Sequence, residues 1–580
     1  MNRQVRCAGV LALAVVLQGY GVLARADDRD ERGHGDHGRR VIGGPLRLPC
    51  GTLATELASP NTAFTSSTTV AAGTLSVAGK PVPAHCVLTG KMFERTSPVD
   101  GKTYAIGFEM RLPLEWNGRF WYQANGGIDG NVVPATGNTS GGGPLTSALL
   151  QGFAVISSDA GHNAAQNPTF GIDPQARLDY GYQAVGKLTP MAKRVIRAAY
   201  GKRPDVSYIG GCSNGGRHTM VAAARYADQY DGYLVGAPGF NLPKAAVANM
   251  YGAQQYAPLA TNPADLSTAW TQAERQLVSS KVLERCDALD GLADGLVQDV
   301  RACRRAFSLA TDVPTCAGPR NGTCLSAAQK AAIGNIFAGP KDGDGRPIYA
   351  TFPFDSGHGA GGIAFWEFIA PLVLDSGAVG FIFKTPPANP AGFNGPAFTL
   401  TADINALAEQ IFATDDLYTE SGMEFMTPPR PDRIDDRLRR NGGRMIVYHG
   451  ISDPIFSVDD TTAWYRSLGR SRKHHGRHRH DGDGASEVVR LFRVPGMGHC
   501  SGGPATDQFD LLTRLVEWVE RDRAPERVTA AGRGAGNVGG VNPEVPAGWA
   551  ADRTRPLCAY PRVARYQGGD AERADSFVCR

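Results

Sequence analysis

The 580-residue sequence contains no C-x-x-C and no H-E-x-x-H spacing, which removes the common zinc frameworks from consideration. It has no surplus of charge: 60 Lys and Arg face 56 Asp and Glu, for a net +4. That balance leaves no electrostatic footprint for nucleic acid. Beyond Leu23 no segment is long and apolar enough to span a bilayer. Charged residues are somewhat scarce, glycine is plentiful at 72, and the composition is otherwise that of a globular protein. A chain of this length can bury a large core and is expected to hold more than one domain.

What is present begins with a targeting segment. Residues 1–6 are basic, Cys7 to Leu23 is mostly apolar, and Ala24-Arg25-Ala26 is a small-x-small cleavage site. The apolar stretch is short and broken by Gln18, Gly19 and Tyr20, so removal at 26 and export, secreted or periplasmic, is expected rather than a membrane anchor. Ten cysteines remain after Cys7, an even number that suits disulfides in an exported chain. Cys558 and Cys579 look like a local closure. Residues 27–44 are charged and glycine-rich, with expected disorder. Metal binding by His34 and His37, or by the histidines of 473–480, is the weaker reading beside solvated loops.

The organising stretch is D-V-S-Y-I-G-G-C-S-N-G-G, Asp205 to Gly216. A short β-type run breaks at a glycine-flanked serine, and a helical segment follows to Ala227. That context is what a G-x-S-x-G nucleophile elbow requires, and no other G-x-S-x-G occurs. In a glycine-rich chain the bland reading is an ordinary turn. Two later residues raise the catalytic one. Asp453 follows the apolar run Arg444–His449, and His499 lies in a glycine-rich loop after Val488–Val494. Each alone reads as a turn aspartate or a loop histidine. In the order Ser213, Asp453, His499 they read as nucleophile, orienting carboxylate and base.

Strand-like and helix-like signals alternate from Cys50 to Gly239: Ala105–Leu112, Arg119–Gln123, Gly152–Ser157, a helix at Tyr182–Tyr200, the serine strand, and Gly232–Gly239. They predict an α/β fold with a mostly parallel sheet. The rhythm stops over 240–441, where helical stretches such as Leu266–Leu283 and Leu325–Phe337 mix with Gly/Pro-rich segments. It resumes over 442–580, which includes an amphipathic helix at Phe509–Arg521. The expected architecture is an α/β-hydrolase core, 27–239 plus 442–580, interrupted by a large lid at 240–441.

The oxyanion of an acyl transfer needs two backbone N–H groups. Asn214 is expected to give one, and the Asn125-Gly126-Gly127 loop the other, through Gly127. If the triad forms, Cys212 and Cys500 are drawn close, so a bond between them is geometrically plausible; a small buried elbow residue is the alternative for Cys212. In the lid, Asp287, Asp290 and Asp294 fall within one glycine-bent loop. With the carbonyls of Leu292 and Leu296 they suit a structural calcium ion; an acidic surface turn is the alternative.

The run Gly211-Cys212-Ser213-Asn214-Gly215-Gly216-Arg217, the Asp453-Pro454 turn and Gly498-His499-Cys500 resemble the tannase and feruloyl esterase family of secreted serine hydrolases. The resemblance spans essentially the whole mature chain. It implies an α/β-hydrolase core, hydrolysis of small esters of aromatic acids, and a lid calcium on Asp287, Asp290, Leu292, Asp294 and Leu296. It also implies the pairs Cys50–Cys86, Cys286–Cys303, Cys316–Cys324 and Cys558–Cys579 beside Cys212–Cys500. Members that hydrolyse the mono-ester of terephthalate and ethylene glycol carry a glutamate after the serine and a lid arginine. Here Asn214 follows the serine and Trp366–Lys384 offers only Lys384, so feruloyl-type esters are the expected substrates. Galloyl and terephthaloyl esters are the near alternatives. A silent aromatic-ligand binding protein and a peptidase are the distant ones.

Overall fold

Nine strands form one mixed sheet in the computed structural model, which describes residues 40–138, 141–469 and 487–580. In chain order they are β1 (Thr62–Val70), β2 (His85–Thr96), β3 (Thr103–Pro113), β4 (Arg119–Gln123), β5 (Ala154–Ser158), β6 (Val206–Cys212), β7 (Gly232–Gly236), β8 (Arg444–Gly450) and β9 (Val489–Val494). Their spatial order is β9-β8-β7-β6-β4-β5-β3-β2-β1. The six from β9 to β5 are parallel, and β3, β2 and β1 continue as an antiparallel extension. The parallel half matches the alternating pattern in the sequence. Strands β1 and β2 precede its first strand signal, Ala105–Leu112; β2 buries Cys86, Leu88 and Met92 on one face and turns Thr89 and Lys91 to the other.

The parallel strands are buried on both faces, and successive residues serve opposite cores. Phe120, Tyr122, Ile209, Val235 and Val447 point to one core; Trp121, Tyr208, Leu234 and Ile446 point to the other. Helices α1 (Ala184–Tyr200), α2 (Asn214–Arg225) and α3 (Leu242–Tyr256) cover the first face. The expected helix at 509–521 is α4 (Leu511–Arg521), whose Leu512, Leu515 and Trp518 cover the second.

Segment 240–441 contributes no strand to the sheet. It has a core of its own around Tyr256, Trp270, Val282 and Phe337, and it also plugs Phe381, Phe383 and Phe425 into the first core. It is part of the same compact unit, Arg39–Arg580. The helix expected over 266–283 begins later, at Gln272–Cys286, because Thr271 accepts from the Glu274 N–H and Glu274 reaches back to the Thr271 N–H.

All five disulfides named above are formed. Among the described residues no helix is long and apolar enough to cross a membrane. The targeting segment and the histidine-rich stretch lie outside the described residues. The disorder expected for 27–44 does not reach its end: the Ile42 N–H donates to Asp205 Oδ2 at 2.8 Å, and Gly44 pairs with Trp116.

Candidate active site

Strand register brings the site together. Cys212 at the end of β6 lies level with Gly236 of β7, Gly236 with Tyr448 of β8, and Gly450 with Val494 of β9. The residues just past these ends therefore share one edge of the sheet, where open α/β sheets bind ligands. Ser213, Asp453 and His499 are among them.

Ser213 occupies the turn between β6 and α2 with φ 64° and ψ −128°, a conformation a non-glycine residue rarely adopts. The flanking glycines are required by close approach. A Cβ on Gly211 would stand 2.1 Å from the Ala124 carbonyl oxygen, and one on Gly215 would stand 2.3 Å from it. His499 Nε2 lies 2.8 Å from Ser213 Oγ, and its Nδ1 lies 2.8 Å from Asp453 Oδ2. With Nδ1–H donating to the carboxylate, Nε2 is left to accept the serine proton.

Asp453 is buried and over-determined. Its Oδ1 accepts the N–H groups of Ile455 and Phe456, each at 3.0 Å, and His449 Nε2 lies 3.3 Å from Oδ2. Burial alone would push the carboxyl pKa up, but His499 and His449 outweigh it and hold the group well below the usual carboxylate range. Asp453 is thus ionised. The imidazole of His499 is walled by two rings, with centroids of Trp366 at 4.8 Å and Phe456 at 5.3 Å, both edge-on. Of the lid aromatics Phe365, Trp366, Phe381 and Phe383, only Trp366 reaches the triad. Phe381 and Phe383 are core, and Phe365 is exposed.

The glycine loop after β4 lies against the elbow. A Cβ on Gly126 would stand 3.8 Å from Ser213 Cβ, while Gly127 takes φ 65° with open space around it. Asn214 heads α2, and its side chain enters a buried polar group that sequence reasoning missed: Asp129, Arg217 and His218. Nothing local could reveal it, since Asp129 sits in a loop 89 residues before His218. Asp355 was missed for the same reason. This buried lid residue accepts from Ser452 Oγ at 2.6 Å and the Gly496 N–H at 2.8 Å, joining the acid turn to the base loop.

The acidic lid loop is held by its own backbone and by two arginines. Asp287 accepts the N–H groups of Asp294 and Gly295 at 3.0 and 2.8 Å. The Asp294 carboxyl turns to Arg555 Nε at 2.8 Å and Arg553 at 3.0 Å. Among the described residues no three His, Cys, Asp or Glu side chains are gathered closely enough to hold a metal. One feature still suits a cation. Asp290 Oδ2 is buried without a hydrogen-bond partner, and burial, with repulsion from Asp294 and Asp287, pushes this carboxyl up to about 7.

A strained serine at a strand–helix turn, a histidine bonded to it and a buried carboxylate behind the histidine stand at the strand edge of an α/β-hydrolase fold. The family model for tannase and feruloyl esterase matches residues 86–580, and the chain belongs to that family of carboxylic ester hydrolases. A mono(2-hydroxyethyl) terephthalate hydrolase of Piscinibacter sakaiensis is 38% identical over 537 residues, 86% of this chain and 85% of that one. A probable feruloyl esterase B-1 of Neosartorya fischeri is 26% identical over 79% of this chain and 80% of its own. Among solved structures, feruloyl esterase B of Aspergillus oryzae superposes with a TM-score of 0.69 at 21% identity, over 92% of this chain and 99% of that one. Tannin acyl hydrolase of Aspergillus niger gives 0.67 at 19%, over 92% and 94%. These two likenesses establish the fold.

Proposed function

We propose that this chain is an exported serine esterase that hydrolyses esters of aromatic acids, feruloyl-type esters foremost. The observation that carries the reading is His499 within hydrogen-bond distance of Ser213 Oγ and Asp453 Oδ2 at once. Ser213 Oγ attacks the ester carbonyl as its proton passes to His499 Nε2, and Asp453 stabilises the imidazolium. The Asn214 and Gly127 amides hold the oxyanion. The C–O bond to the alcohol then breaks, and the alcohol leaves with the proton from His499. Water, deprotonated by the same nitrogen, attacks the acyl-serine; the acid departs and the proton returns to Ser213.

Trp366 gives an aromatic acyl group an apolar wall beside the base. Lys384, the cation of lid stretch 366–384, is committed to the Pro386 carbonyl at 2.6 Å, which favours an acid without a second charge. The 38% identity to a mono(2-hydroxyethyl) terephthalate hydrolase favours the second reading, a terephthalate mono-ester. Acid release from methyl ferulate, methyl gallate and mono-hydroxyethyl terephthalate, with Ser213→Ala as control, decides. Methyl ferulate with the highest kcat/KM, lost in the variant, is expected. A preference for the terephthalate ester installs the second reading, and undiminished activity in Ser213→Ala overturns the mechanism.

A calcium ion on the lid loop belongs to this reading. Asp287 and Asp290, with the carbonyls of Leu292 and Leu296, would bind it; Asp294 joins by releasing its arginines. Its role would be structural, holding a loop already stapled by Cys286–Cys303. The five disulfides support maturation in an oxidising compartment, secreted or periplasmic.

A further inference from the structure

Acyl transfer by this site needs two amide donors at a fixed spacing, yet the two arrive on separate segments. One is Asn214, at the head of α2. The other belongs to the glycine loop after β4. Among the described residues the last backbone hydrogen bond between the two segments is from the Ala124 N–H to the Gly210 carbonyl at 3.0 Å, so beyond it packing and side chains set the distance between the arms.

Asp129 lies two residues past Gly127 on the glycine loop, and its side chain is only 2% exposed. Its Oδ2 accepts from Asn214 Nδ2 at 2.8 Å, so the loop that brings one donor grips the residue that brings the other. The same oxygen lies 2.9 Å from His218 Nε2, one turn further along α2. At the other end of the amide, Asn214 Oδ1 accepts from Arg217 Nε at 2.6 Å. Arg217 is fully buried and is itself fixed by the carbonyls of Gly181 at 2.8 Å and Tyr180 at 3.1 Å.

The Asn214 amide is therefore held between a guanidinium on its oxygen and a carboxyl on its nitrogen. Inverting it would set its NH2 against the guanidinium and its oxygen against Asp129. Burial pushes the Asp129 acid well up and, with Arg217, the His218 imidazole well down, and the 2.9 Å contact between Oδ2 and Nε2 holds one hydrogen between them. Whichever of the two holds it, Asn214 Nδ2–H still donates to Oδ2. Three ionisable side chains buried together are costly to fold. None of them contacts Ser213 Oγ or His499, so the proton relay does not account for them.

We propose that Asp129 is a positioning residue that fixes the spacing of the two oxyanion donors by gripping the side chain of Asn214. This rests on the serine esterase reading above. Its action falls on the transition state, because the oxyanion exists only there, and not on the binding of the ground-state ester.

The test is a double-mutant cycle of Asp129→Ala, Asn214→Ala and the pair, since Asn214→Ala keeps the backbone donor and removes the side chain that Asp129 and Arg217 hold. Four quantities are measured: kcat, KM, inhibition by an aryl boronic acid that mimics the oxyanion, and inhibition by the free product acid. Each single variant is expected to lower kcat roughly ten- to hundredfold with KM changed by no more than about twofold. Boronate affinity falls in parallel with kcat/KM, product affinity holds, and the double variant is no worse than the weaker single one. Unchanged kcat with only a lower melting temperature, strictly additive losses, or equal weakening of boronate and product would overturn the proposal. If Asp129→Ala does not fold, kcat and boronate affinity of Asn214→Ala decide alone. Failure of the esterase reading is separately visible, as activity that survives Ser213→Ala.

Discussion

Cys212 and Cys500 are joined by a disulfide, so the residue before Ser213 is covalently tied to the residue after His499 across 288 positions of chain. Both sides of the tie carry unusual backbone: Ser213 and Cys500 each have φ 64°. The bond bounds how far Ser213 and His499 can drift apart, and positioning of this kind carries much of the rate in acyl transfer.

Replacing both cysteines by alanine is expected to lower kcat/KM about ten- to hundredfold, because small misplacements at a reacting centre are expensive. Stability falls as well, by a few kcal/mol on the chain-entropy account of a long closed loop. Steady-state kinetics and urea unfolding of the double variant check both. Full activity in it would show that packing alone holds the pair.

Asp355 makes the corresponding non-covalent tie from the lid. Asp355→Ala strips the acceptor from Ser452 Oγ and the Gly496 N–H, both buried. The expected loss is about 2–4 kcal/mol of stability, the range for orphaning two buried donors, and kcat falls too, since the acid turn and the base loop lose their link. Ser452→Ala removes one donor from Asp355 and orphans the buried Gly357 N–H, which donates to Ser452 Oγ at 3.0 Å, and costs about 1–3 kcal/mol. Denaturant midpoints together with kcat for the two variants decide whether the lid positions the triad.

Asp375 gives a pH prediction with a definite sign. It is buried in the lid, accepting from Asn249 Nδ2 at 3.2 Å, and burial pushes its carboxyl up to about 7. The folded state therefore holds this proton more tightly than the unfolded chain does. Its contribution is fully present below the ordinary carboxylate range and is lost as pH rises towards 7. Asp375→Asn removes the titration, so its stability relative to the parent should grow between pH 4 and 7, by up to about 4 kcal/mol. Urea unfolding of both proteins across that window is the measurement. A constant difference would place the Asp375 pKa near its ordinary value.

The calcium reading predicts that excess chelator lowers the melting temperature and that added calcium restores it. Saturation at about 100 times the dissociation constant corresponds to about 2.7 kcal/mol. Asp290→Asn should abolish the calcium response while leaving kcat on the preferred ester near its parent value. If chelator moves neither melting nor the variant's difference, the loop is an acidic turn held by Arg553 and Arg555.

By itself the sequence determined the pieces whose causes are local. A glycine-flanked serine between an apolar strand and a helix, an Asp-Pro turn and a His-Cys loop at strand ends are each dictated by a few neighbouring residues, so the triad, its order and the parallel half of the sheet were legible. Only the tertiary structure decided what depends on partners far apart in the chain. Asp129 finds Asn214 and His218, Asp355 finds Ser452 and Gly496, and Asp294 leaves its two neighbouring carboxylates for Arg553 and Arg555. The physical reason is burial. A charged side chain taken out of water must be matched by whatever group the fold brings beside it, and that group leaves no trace in the adjacent sequence.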